Sequence, residues 1–196
     1  MGTIIAIGIL ILLGAVAVGI LMYLIGINND LVKLKNDIDR SFANIDVSLK
    51  QRHDELPKLV ETCKQYMKFE QETLTKVMEA RSKVFAAREA QNIPQLGQAE
   101  GALRATLGSL FALAEAYPDL KTNQTFQQLQ TRISSLENAI ADRREFYNES
   151  VNVNNVRIEQ FPDTIIAGIF NFKPAQLLEF QAEEKADVDV KKLFGS

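Results

Sequence analysis

The sequence predicts an all-α protein: an N-terminal transmembrane helix followed by an up-down antiparallel helical bundle of three to four long, coiled-coil-like helices. Residues 4–27 are continuously apolar, and no charged residue stands between Met1 and Asp30. Beyond them, apolar residues recur at alternating spacings of three and four, the signature of helices packed along a seam. No strand-like alternation competes with that pattern.

A helix needs roughly 20 apolar residues to cross a ~30 Å hydrocarbon core, because every peptide group must be hydrogen-bonded within its own segment. The opening run is long enough. A cleaved signal peptide would carry a basic start, an apolar stretch of about 7–15 residues and a small-x-small cleavage site. Here only Met1, Gly2 and Thr3 precede the run and no such site closes it, so retention as an anchor is expected. Ala6 and the lack of a cysteine after the run set lipid anchoring aside.

The soluble part follows from composition. With 196 residues, 46% hydrophobic and 24% charged, the chain has room for one core besides the anchor. Acidic and basic residues alternate to a net charge of −3, leaving no basic stripe for nucleic acid. Cys63 stands alone and shares a helix face with Leu56, Leu59 and Val60, which predicts a buried thiol. Lys33, Lys35 and Arg40 follow the apolar run closely, which favours a cytoplasmic carboxyl-terminal domain.

Four regions result: an anchor at 1–27, a bundle domain at 28–160, an apolar membrane-proximal or interface segment at 161–182 and a charged tail at 183–196. Leu31, Leu34, Ile38, Phe42, Ile45 and Leu49 begin one apolar stripe. Leu56, Leu59, Cys63, Met67, Leu74, Val77, Val84 and Phe85 carry it on, across a kink expected from Pro57. A turn near 69–72 would make the long helices 28–68 and 123–160 antiparallel, with short helices 73–91 and 95–117 between them; the alternative is one bent helix over 28–91. Asn92 and Pro94, Pro118, and Phe161 with Pro162 are breakers, and Thr122 or Asn123 can cap the last long helix.

These residues carry a family resemblance. The run LVKLKNDIDRSFANIDVSLKQRH at 31–53, DELP at 54–57 and LVET at 59–62 resemble the LemA family of bacterial membrane proteins. EAYPDLK at 115–121, Tyr147 with Asn148, Asn155, Phe161 with Pro162, and IAGIFNF at 166–172 fit as well. The chain departs from the family at Asn154, often a second Tyr, at Asn171, usually Gly, and at Phe42, often Trp. The resemblance implies a single-pass inner-membrane protein with a short exterior amino terminus and a helical bundle. A relative in magnetotactic bacteria, implicated in building magnetosome membranes, tilts the expected role toward membrane organisation. No catalytic residues are implied.

Reactive constellations are missing from the sequence. A di-iron bundle needs Glu-x-x-His on two helices, whereas this chain has one histidine, His53, with Lys50 three residues before it. Zinc sites lack ligands, and phosphate-cradling loops and nucleophile elbows are absent. No cofactor, metal or enzymatic activity is expected. Arg52 and His53 interrupt an apolar stripe, as do Arg143 and Arg144 on the last long helix, and are expected as polar core layers that set helix register.

Two segments are candidates for contact with other molecules. Ala15 and Gly19 form a small-xxx-small pair in the anchor, with Gly8 and Gly14 nearby, as suits self-association of membrane helices. Ile165, Ile166, Ile169, Phe170, Phe172, Leu177 and Phe180 crowd a short segment that can cover its own bundle, dock on another copy or lie at the bilayer interface. The expected function is a membrane-anchored scaffold that forms a homo-oligomer. The alternative is a tethered adaptor or sensor recruiting another membrane protein, such as a protease.

Overall fold

A computed structural model describes residues 1–180; the tail at 183–196 and the end of the 161–182 segment lie outside the described residues. Six helices follow one another among them: α1 Gly2–Tyr66, α2 Gln71–Glu89, α3 Ile93–Ala114, α4 Pro118–Lys121, α5 Gln124–Glu159 and α6 Asp163–Ile169. No strand occurs among the described residues. The all-α expectation and the antiparallel bundle therefore hold.

Helix α1 has no break at residue 28. It runs for 65 residues through Pro57, so the apolar run and the first bundle helix belong to one helix. It ends where a turn was expected, with the Glu70 N–H bonded to the Met67 carbonyl at 3.1 Å. The single bent helix over 28–91 is thus replaced by α1 and α2.

Local chemistry sets the other ends. Gln91 takes φ 50° and the Asn92 N–H reaches the Ala87 carbonyl at 3.1 Å, closing α2 with a left-handed cap. The Asn92 side chain then accepts from the Gln95 N–H at 3.0 Å, and Pro94 sits in the first turn, where its missing donor costs nothing. Helix α3 stops at Ala114, three residues short of the expected Tyr117, because Pro118 opens the separate turn α4. Asn123 caps α5 through the Phe126 N–H at 3.0 Å.

The chain divides into two compact units, residues 1–41 with 149–175, and residues 42–148 with 176–196, the latter described to 180. In the first, residues 1–23 of α1 are exposed along their whole length, Ile4 by 75% and Leu21 by 58%. Burial begins at Leu24 and Ile27, which pack with Leu31, Leu34, Ile158, Ile166, Ala167 and Phe172. Helix α5 runs antiparallel to α1 here: Ser41 meets Ser150 at 3.2 Å, while Asp30 meets Arg157 at 3.5 Å. Asn171 closes α6 at φ 56°, with the Phe172 N–H on the Ala167 carbonyl at 2.9 Å. A left-handed residue is needed there, and Asn is the side chain that tolerates it best after Gly.

In the second unit α1, α2, α3 and α5 form the bundle. Its core takes Ile45, Leu49, Leu56 and Leu59 from α1, Met67 just past its end, Leu74 and Val77 from α2, Leu103 and Leu107 from α3, and Phe126 and Ile133 from α5. The antiparallel register of α1 and α5 is read from Tyr66 with Asn123 at 3.0 Å and Arg52 with Glu137 at 3.2 Å. Phe85, assigned to the apolar stripe, is 44% exposed.

Candidate functional site

Two polar constellations occupy the second unit, and heptad spacing explains both. Leu49, Arg52, Leu56 and Leu59 follow steps of three and four on α1, as do Leu96, Glu100, Leu103 and Leu107 on α3. Arg52 and Glu100 thus stand at positions that face the core, each 2% exposed. Arg52 Nη2 donates to Glu100 Oε1, and Nη1 donates to Glu137 Oε1 on α5 at 3.2 Å. One guanidinium ties three helices together.

The Glu137 carboxyl is held above its ordinary range, chiefly because burial disfavours its charge; Arg52 pulls it down and Glu100 pushes it up. Arg52 Nε makes no hydrogen bond among the described residues.

His53, one residue on, faces α2. Arg81 Nε donates to the His53 carbonyl at 2.9 Å, and its Nη2 lies 2.6 Å from His53 Nε2. A guanidinium only donates, so Nε2 accepts and the imidazole is neutral with its proton on Nδ1. Burial lowers the His53 pKa, helped by Arg81 and Arg88 and opposed by Asp54. The ring contacts Phe85 at 5.0 Å between centroids. Leu49, Lys50, His53, Asp54, Val84, Phe85 and Arg88 enclose a cavity of about 180 Å³. Arg88 is held by Asp46, with Nη2 on Oδ2 at 2.8 Å.

Arg143 and Arg144 have partners of their own. Arg143 Nη1 donates to the Asn44 carbonyl at 2.8 Å and to Ser48 Oγ, one turn before Arg52. The Arg144 guanidinium lies over the Phe180 ring, 3.9 Å from its centroid. Glu100, Glu137 and Arg81, the partners that define the polar layers, are not singled out in the sequence reading, although a charge at a core heptad position marks Glu100.

The apolar segment divides in two. In the first unit Ile166 is 3% exposed and faces the core, while Ile165, Ile169 and Phe170 are 51%, 69% and 59% exposed. Residues 176–180 belong to the second unit and form an extended strap. Tyr147 Oη donates to the Gln176 carbonyl at 2.9 Å, and Leu178 is buried. Gly97 admits the strap because a Cβ there would collide with the Glu179 carbonyl oxygen. Leu177 and Phe180 are half-buried. In the anchor Gly8, Gly14, Ala15 and Gly19 are exposed, with open space around each glycine.

Among the described residues, no three His, Cys, Asp or Glu side chains converge to hold a metal ion. The polar groups described pair between helices and with the backbone of residues 176–178. The class defined is an antiparallel helical bundle continuous with an exposed apolar N-terminal helix, long and apolar enough to cross a membrane. The LemA family model matches residues 41–191, and the chain belongs to the LemA family.

Relatives extend this. Protein LemA of Metamycoplasma hominis is 28% identical over 185 residues, covering 93% of this chain and 83% of that protein. Magnetosome protein MamQ 2 of Paramagnetospirillum magneticum is 33% identical over 92 residues, 47% of this chain and 33% of its own length. Magnetosome protein MamQ of Magnetospirillum gryphiswaldense is 35% identical over 75 residues, 38% of this chain and 28% of its own. The chain therefore spans a third or less of these magnetosome relatives.

Proposed function

We propose that this protein is a non-catalytic, membrane-anchored scaffold that assembles with copies of itself at the bacterial inner membrane, its carboxyl-terminal domain in the cytoplasm. The observation that carries it is the continuity of α1. An exposed apolar run, too large an oily surface for water, continues without a break into the stretch of α1 that packs with α6 and the end of α5 within the first unit, so contacts made in the bilayer bear on the helices packed there. Glycine and alanine at 8, 15 and 19 fall on one side of a 3.6-residue helix and permit close approach of a second anchor. The likeness to proteins named for the magnetosome fits a role in organising membrane.

The cavity beside His53 favours a second reading, an adaptor that seats a small apolar side chain of another membrane protein, such as a protease, against exposed Phe85.

Mass measurement of the full chain in lipid nanodiscs tests the first. Multiples of 21.9 kDa that fall to one copy with Ala15→Ile and Gly19→Ile support it; a single copy at every concentration overturns it. Protease protection of inverted vesicles locates the carboxyl-terminal domain.

A further inference from the structure

We propose that α6 is an interfacial element: its outward face, Ile165, Ile169 and Phe170, inserts into the lipid surface beside the point where α1 leaves the bilayer. The proposal rests on the anchor reading, and α6 and the residues it packs with all belong to the first unit.

Height along α1 is the first observation. Helix α6 packs through Ile166 and Ala167 against Leu24, Ile27 and Leu31, and Leu24 and Ile27 are the last turn of the apolar run. At 1.5 Å per residue, α6 is roughly 10 Å long and no more than a few turns from hydrocarbon. With the span embedded, α6 lies at headgroup level, where the bilayer changes from apolar to polar over about 5–8 Å on each side.

Its polarity is inverted for a helix facing water. Asp163, its one charged residue, is turned inward at 4% exposure and paired with Arg157. Ile165 and Ile169, four apart and so on one face, are turned outward with Phe170. No charge occurs from 164 to 172. A water-facing helix buries its apolar side and exposes its charge; α6 has a buried apolar side and a second, exposed one.

The occupant is lipid because α6 packs with the last turn of the apolar run, whose exposed neighbours Leu21 and Ile25 are given to lipid by the anchor reading. Exposed Lys33, Lys35 and Lys173 alternate nearby with exposed Asp30, Asp39 and Glu159, a mixed polar collar next to the apolar face. The result is a second membrane contact that restricts tilt of α1, which a single span leaves free.

The chain contains no tryptophan, so one introduced indole reports alone. Full-length Phe170→Trp is reconstituted in vesicles of phosphatidylethanolamine and phosphatidylglycerol, with bromine on the acyl chains near the headgroup or near the chain end. Leu12→Trp serves as a mid-span reference and Phe69→Trp, 95% exposed in the α1–α2 turn, as a water reference. The expected result is blue-shifted Phe170→Trp emission that loses more than half its intensity with shallow bromine and less with deep bromine. Water-like, unquenched emission at 170 with Leu12→Trp quenched overturns the interfacial role and leaves the anchor intact. Blue-shifted but unquenched emission also overturns it and assigns the face to a second copy. Loss of quenching at Leu12→Trp too overturns the anchor reading and this proposal together. Ile165→Trp, which leaves Phe170 in place, repeats the test, and unchanged helical circular dichroism verifies folding of each variant.

Discussion

Asn148 satisfies both backbone groups of Leu178: its side-chain oxygen accepts from the Leu178 N–H at 2.9 Å, and its amide nitrogen donates to the Leu178 carbonyl at 3.2 Å. An extended segment with no strand partner is held in this way by a helix side chain. Leu178 is 1% exposed, so its polar groups have no water to fall back on. Asn148→Ala is expected to cost about 1–3 kcal/mol, the penalty of leaving a buried backbone pair unmet. Hydrogen exchange at the Leu178 amide reads it directly, and unchanged protection rejects it.

Gly97 supports the same strap from α3. Gly97→Ala favours the helix by roughly 0.5–1 kcal/mol in isolation, yet here the added methyl meets the Glu179 backbone oxygen rather than a movable side-chain end. The variant is expected to release residues 176–180 while α3 stays helical. Limited proteolysis within the strap should then accelerate, and equal cutting of both proteins would contradict the arrangement.

Removing Arg52 takes the guanidinium away from buried Glu100 and half-buried Glu137. Arg52→Met is expected to lower stability by about 3–5 kcal/mol, measured by chemical unfolding of the full chain in detergent. Adding Glu100→Leu and Glu137→Gln should restore most of the loss, because the damage comes from uncompensated charge. Failure of the triple variant to recover would point to packing instead.

The neutral His53 imidazole makes stability depend on pH. Its folded pKa lies below the ordinary 6.5, mainly through burial and then through Arg81. Between the two values the unfolded chain binds the proton and the folded chain does not. Stability is therefore full above 6.5 and declines as pH falls through the window beneath it. His53→Gln keeps an acceptor for Arg81 and should flatten that decline. The raised pKa of Glu137 acts with opposite sign, stability falling as pH rises from its ordinary 4.5, and Glu137→Gln removes that contribution.

Burial raises the Cys63 thiol to about 12, and the residue is fully enclosed. At pH 8 a maleimide should label Cys63 only at the rate of unfolding, because the thiolate is scarce and unreachable. Rapid labelling of native protein would place the thiol elsewhere.

Much of the bundle was legible in residue order. Pro94, Pro118 and Pro162 stand at helix starts because the first turn needs no N–H donor, although Pro57 stays inside α1, and Asn92 and Asn123 cap because a short amide reaches the first free donors. The turn before Gln71 was legible through helix lengths. The interruption of the stripe at Arg52 was visible too, but its partners were not, since a carboxylate 48 residues away in sequence announces itself only through a matching heptad position. The strap was less legible still: its bonds run from side chains to backbone, and a backbone group carries no mark of which residue will meet it.

Local spacing thus dictates that these residues form helices, that the opening run is apolar enough for a bilayer, and that reactive ligand sets are missing, because periodicity and composition act within a few turns of chain. Which face of α6 turns inward, which carboxylates Arg52 gathers and why residue 97 must lack a side chain were decided by packing between segments far apart in the chain. Those choices belong to the fold because neighbours in space, rather than neighbours in sequence, set burial and supply each partner.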